Sequence, residues 1–232
     1  MDIGVDLNRN YSYRFKYDEQ GSSSDLCDQS YRGPYAFSEP ETKAMRDLVL
    51  NLQNTKIALN LHAYGLPAPL WIHPFCYTTD KSNKPLKEGF PDARKFYTEV
   101  AREMELRGDA AFLVGNAIDT IEYTANGEAS DWMLGQLGIY AVSVELGGSK
   151  ASEQSFFISN AATLRDLVIQ NDRWIHQMLH YLQPDFSCEL EAPSRVISQN
   201  PADPATVKTL TAYICENRAK VGTIASSTDY FL

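Results

Sequence analysis

The run Ile139-Tyr140-Ala141-Val142-Ser143-Val144-Glu145-Leu146 constrains the fold most, because a short apolar, β-branched segment of this kind reads as a strand buried on both faces. Lys56 to His62 is a second such run, with Ile57, Leu59 and Leu61 on one face. A third, short strand is expected from about Pro69 to His73. Amphipathic segments lie around these runs. Ser38-Glu39-Pro40-Glu41 opens a helix, with Ser38 as cap, Pro40 in the first turn and Glu41 closing a capping box. The spacing of Met45, Leu48, Val49 and Leu52 carries it to about Asn54. Pro91 opens another, striped by Phe96, Val100 and Met104, and residues 128 to 137 form a shorter one. From about Asn160 to Leu182 a long helix is expected to turn Leu164, Leu167, Val168, Trp174, Ile175, Met178 and Leu182 inward. Helices alternating with apolar strands predict an α/β fold, a sheet flanked by helices on both faces.

Residues 12 to 36 are rich in Tyr, Ser, Gly and Asp and read as a long loop, a length that in a compact domain usually carries function. Composition shifts after Pro184 toward Pro, Ser and Thr, with β-leaning pieces at Ser194 to Ser198 and Thr209 to Ile214. The expected organisation is therefore a domain over residues 1–183 and a C-terminal appendage or truncated second domain over 184–232. The net charge of −9 argues against nucleic acid as a partner, since phosphate binding needs a basic surface. No apolar run approaches the ~20 residues of a membrane helix. The opening MDIGVDLNRN lacks the features of a secretory signal. Cys27, Cys76, Cys188 and Cys215 show no metal-type pair spacing and fit free thiols or at most two disulfides, so the compartment stays open.

Two strands end in side chains able to do chemistry. Glu145 lies near the end of its strand, where a carboxylate is costly unless paired, metal-bound or protonated. Desolvation there would lift its pKa into the range useful for proton transfer; the alternative is a Glu that reaches solvent past Leu146 or forms a structural ion pair. His62 ends the other strand, held rigidly enough to ligate a metal, or else is a satisfied rim residue. In the polar run Gly4 to Tyr11, Arg9 suits bidentate recognition of a carboxylate with Asn8 as neutral donor beside it, unless both serve a surface network. His176 and His180 fall at i and i+4 on a helix, but Gln177 stands where the zinc-protease pattern has Glu.

Four blocks in order, Gly4 to Tyr11 (GVDLNRNY), Tyr31 to Thr42 (YRGPYAFSEPET), Leu59 to Tyr64 (LNLHAY) and Tyr123 to Glu145 (YTANGEASDW…VSVEL), resemble the zinc metallocarboxypeptidases of the carboxypeptidase A type over roughly residues 3 to 182. The resemblance implies a partial mixed β-sheet, the C-terminal half of that family's catalytic domain. It implies hydrolysis of the C-terminal residue of peptides and proteins, with zinc as cofactor. His62 then corresponds to the third zinc ligand and Glu145 to the base that activates water. Asn8 and Arg9 match the pair that grips the terminal carboxylate, Tyr123 the tyrosine that closes over substrate, and Tyr64 a subsite tyrosine.

The family's first two ligands come from a His-x-x-Glu motif before the GVDLNRN block, and no His-x-x-Glu occurs in this sequence. Cys27 matches a cysteine that in animal relatives is bridged to a residue where this chain has Asp2, so that bridge is not expected. Relatives preferring basic C-terminal residues carry an acid where this chain has Ser130, with Glu128 nearby as a substitute. The strand at 56–62 is expected at the sheet's edge, open to self-association. Two rivals to an enzyme of this family are a carboxylate-binding module that does not hydrolyse and an amidohydrolase relative acting on N-acyl amino acids.

Overall fold

The computed structural model describes residues 4–52, 54–63, 69–106, 112–146, 161–180, 185–190 and 213–218. The chain organises into two compact units, residues 1–178 and 179–232, dividing a few residues before the expected boundary at 183. The larger unit begins with a single 3-10 turn, Leu7–Arg9, and then α1 (Pro40–Asn51), β1 (Ile57–Ala63), β2 (Leu70–Ile72), α2 (Lys84–Gly89), α3 (Pro91–Leu106), β3 (Leu113–Gly115), α4 (Ala117–Thr120), α5 (Ala129–Leu137), β4 (Tyr140–Leu146) and α6 (Ala161–His180). In the second unit β5 (Asp185–Leu190) pairs antiparallel with β6 (Tyr213–Arg218). The β-leaning piece at Ser194 to Ser198 lies outside the described residues, as do residues 209–212 of the second piece, whose Tyr213 and Ile214 open β6.

The four strands of the larger unit order as β1-β4-β2-β3. β1 runs parallel to β4, β4 antiparallel to β2, and β2 parallel to β3, so the sheet is mixed. Strand alternation sorts the side chains into two faces. Register places Ala58 beside Ala141, Asn60 beside Ser143 and His62 beside Glu145, with Ile72 and Leu70 across from Ser143 and Glu145. This face meets α5, whose Ala129, Trp132 and Met133 pack with Tyr11, Phe37, Val49 and Ala141. The opposite face carries Tyr140 and Trp71, which meet the rings of Phe96 and Tyr97 from α3. Helices therefore cover both faces, and β4 is buried from Ala141 to Val144. Each large apolar side chain sealed in such layers contributes about 1.5–3 kcal/mol relative to exposure.

β1 stands at one end of the strand order, with no partner on its outer edge among the described residues. Its Leu61 is half exposed, as are Met45, Leu48 and Leu52 of the preceding segment. Two sequence expectations change. Ser38 does not cap α1: the N-cap is Glu39, without a side-chain cap bond, because the Ser38 hydroxyl donates to Glu39 Oε1 at 2.6 Å and accepts from Asn10 Nδ2 at 2.9 Å. Of the residues expected inward on α6, Trp174 and Met178 are buried, Leu167 and Ile175 are partly buried, Leu164 and Val168 are exposed, and Leu182 lies outside the described residues. That helix meets the core through its second half, where Trp174 lies edge-on to Phe112.

Candidate active site

Parallel pairing of β1 and β4 brings their C-terminal ends together, so His62 and Glu145, distant in sequence, become register partners. His62 Nδ1 lies 4.0 Å from Glu145 Oε1, with both side chains mostly buried. His62 Nε2 is sealed from solvent without a hydrogen-bond partner among the described residues. Burial raises the pKa of Glu145; His62 and Arg9 oppose that rise, and the negative charge of Glu128 adds to it. A mostly buried carboxyl whose pKa is pushed upward by burial suits a proton acceptor working near neutral pH.

The 3-10 turn sets Asn8 and Arg9 beside this pair. Asp6 caps it, accepting the Asn8 N–H at 2.9 Å. Gly127 holds it from the other side: Tyr11 N–H donates to Gly127 carbonyl at 2.9 Å, and a Cβ on Gly127 would strike the Arg9 carbonyl group. Asn8 Oδ1 accepts the Ala129 N–H at 3.1 Å. Arg9 Nη1 donates to its neighbour's carbonyl, Asn8 O, at 2.9 Å and lies 3.8 Å from Asp6. Its Nε is buried and has no partner among the described residues, a donor left open in a fork suited to a carboxylate.

Asn10, whose residue type carried no assignment in the sequence, anchors the segment. It is fully buried, and its Nδ2 donates to Arg32 O at 2.8 Å, Tyr35 O at 3.0 Å and Ser38 Oγ at 2.9 Å. Its Oδ1 accepts from Thr42 Oγ1 at 2.7 Å. The expected loop of residues 12 to 36 is thereby tied to the turn that carries Arg9.

The sequence matches the zinc carboxypeptidase family model over residues 2–170. The chain belongs to the zinc carboxypeptidase family. It is 34% identical over 145 residues to carboxypeptidase B of Astacus astacus, covering 62% of this chain and 44% of that protein. It is 35% identical over 144 residues to carboxypeptidase A1 of Mus musculus, covering 62% of this chain and 32% of that one. The carboxypeptidase A structure from Helicoverpa armigera superposes with a TM-score of 0.57 at 21% identity, over 78% of this chain and 42% of that one, which shows the shared fold. This zinc carboxypeptidase chain spans less than half the length of these curated relatives.

Zinc is the family's metal, and His62 Nε2 is a buried nitrogen with no partner among the described residues. Catalytic zinc takes three protein ligands. Among the described residues no three-ligand group includes His62, so these residues fit one ligand of a site rather than a site. His73 stacks on Tyr97, and its Nδ1 hydrogen-bonds the Pro74 carbonyl at 2.7 Å. His176 is exposed beside Asp172.

One cluster of ligand-type groups does form, from Cys76, Glu128 and Asp131, all buried. Its polar atoms are occupied by protein. Asp131 accepts the Cys76 N–H at 2.9 Å and the Tyr77 N–H at 3.3 Å, and Glu128 accepts the Asp131 N–H at 2.9 Å. Burial pushes the Cys76 thiol well up, so it stays neutral in this packing. Asp131 is likewise raised by burial and then by Glu128, against the pull of the two backbone donors. The cluster therefore fastens the segment after β2 to the first turn of α5. Tyr123 is exposed, Tyr64 lies outside the described residues, and Cys27 is exposed and unpaired.

Proposed function

We propose that this chain carries the substrate-gripping and proton-transferring part of a metallocarboxypeptidase, an enzyme that removes the C-terminal residue of peptides and proteins. The observation supporting this most is the register pairing of His62 with Glu145 beside an Arg9 fork whose Nε has no partner among the described residues. In this reading Arg9 and Asn8 bind the terminal carboxylate, which confines the reaction to the last residue. Glu145 takes and returns the proton, Tyr123 and Tyr64 contact substrate, and His62 is one zinc ligand. Zinc residence then depends on a His and a Glu, or equivalent groups, beyond the residues described.

A second reading, a module that holds C-terminal carboxylates without hydrolysing them, is favoured by the single ligand at His62. Zinc content and cleavage of a C-terminal peptide, measured together on the purified chain, separate the two. Stoichiometric zinc with cleavage lost in Glu145→Gln supports the enzyme complete in this chain. Less than one zinc with no cleavage, but tighter binding of a free-carboxylate peptide than of its amide, is the expected result and supports a partial site. Equal binding of acid and amide would sink both readings.

The open edge of β1, with Leu61 half exposed, is proposed to make the isolated chain self-associate. Sedimentation is expected to show a weight-average mass that grows with concentration, and a Leu61→Lys variant to reduce that growth. A monomer at all concentrations, with a sharp unfolding transition, would rule the association out.

A further inference from the structure

Glu128 is 2% exposed, and no cation pairs with it among the described residues. A buried carboxylate without a counter-charge is expensive and needs its lone pairs filled by donors. Oε1 accepts from the Ser143 hydroxyl, from the Ser130 hydroxyl at 3.2 Å and from Asn8 Nδ2 at 3.5 Å. Oε2 accepts the Asp131 N–H at 2.9 Å and caps α5. Both oxygens are spent inside the protein, so this acid is badly placed to meet a cationic side chain of a substrate.

It is well placed to act on Asn8. The amide group of Asn8 is held between two neighbouring positions of opposite character: the Ala129 N–H donates to Oδ1 at 3.1 Å, and the Glu128 carboxylate faces Nδ2. An amide has two orientations that differ by exchange of O and NH2. Here only one satisfies both neighbours, and it keeps the NH2 end turned away from the backbone donor. One N–H of that group reaches Glu128, and the other remains to meet an anion. The Ser143 hydroxyl, which also accepts from Asn60 Nδ2 at 3.3 Å, ties the acid to the sheet between β4 and β1.

We infer that Glu128 is a positioning residue that fixes Asn8 as a hydrogen-bond donor toward a substrate's C-terminal carboxylate, and that it is not the anion that selects basic C-terminal residues. The inference rests on the carboxylate-gripping reading of Asn8 and Arg9 given above.

The test uses the whole chain, with N-acylated Gly-Phe, its C-terminal amide and N-acylated Gly-Lys as probes. Binding is followed by calorimetry, and the Asn8 side-chain amide by NMR, assigned through its loss in Asn8→Ala. Glu128→Gln is expected to weaken both acids about tenfold, equivalent to ~1.4 kcal/mol, and to leave the amide peptide unchanged. It is also expected to shift the Asn8 amide signals in the free chain. In an Asn8→Ala background the same substitution should have no further effect on acid binding, because groups acting through one another are not additive.

A loss confined to the Lys peptide, additive effects of the two substitutions, or an unmoved Asn8 signal would each overturn the inference. The NMR readout needs no ligand. A wild-type chain that binds acid and amide alike, but whose Asn8 signal moves in Glu128→Gln, would defeat the carboxylate-gripping reading and the substrate part of this inference. The positioning of Asn8 would then stand alone.

Discussion

Gly127→Ala is expected to cost about 3 kcal/mol of stability and to remove whatever carboxylate binding the chain has. Gly127 sits at φ +71°, a left-handed conformation that costs a non-glycine residue roughly 1–3 kcal/mol. The added Cβ would also fall 2.9 Å from the Arg9 carbonyl carbon and closer still to its oxygen, so backbone must move. The part that moves is the turn bearing Asn8 and Arg9, which is why stability and binding should fall together. Urea unfolding checks the first effect and titration with a free-carboxylate peptide the second. A variant with an unchanged midpoint and unchanged binding would mean that the 127–129 segment does not clamp the turn.

Asn10→Asp is expected to be at least as damaging, with a loss of about 3–5 kcal/mol. The substitution keeps the shape but replaces an NH2 with an oxygen facing the Arg32 and Tyr35 carbonyls, 2.8 and 3.0 Å from the present nitrogen. At neutral pH it also buries a charge without a cation. Asn10→Ala should cost somewhat less, since it leaves the carbonyls unpaired without repelling them. Denaturant midpoints of the two variants, measured side by side, give the comparison. If aspartate proves milder than alanine, the donor role assigned to the Asn10 amide is wrong.

Both effects arise at residues whose importance was only partly legible in the sequence. Asn10 and Gly127 lie inside the blocks that carry the family resemblance, yet nothing in a run such as Asn8-Arg9-Asn10 says which amide is turned into the core. Exposure decides it: Asn10 is fully buried, and Asn8 is only partly so. Glu128 shows the same limit. Its proximity in sequence to Ser130, where relatives preferring basic residues carry an acid, pointed to a role in choosing the substrate, whereas its environment turns both oxygens inward. The short elements α2, α4 and β3 also escaped reading, because three to six residues are too few for a periodic signal to rise above loop composition. The inward stripe assigned to α6 failed for the opposite reason. Periodicity marks an apolar face but cannot say along how much of its length a neighbour covers it, and among the described residues of that stripe only Trp174 and Met178 are buried.

What the sequence determined by itself was local and ordered along the chain: two apolar strands ending in His62 and Glu145, the helices around them, and a polar turn with Asn8 and Arg9. Those follow from side-chain periodicity and residue chemistry, which act over a few neighbours. Only the tertiary structure decided that β1 and β4 run parallel as adjacent strands, setting His62 and Glu145 4.0 Å apart. It alone decided that Gly127 presses on Arg9 and that β1 is left at an edge. Strand partners and loop contacts are fixed by burying apolar surface and satisfying backbone polar groups across large sequence separations, and no local pattern encodes which distant segment will do so.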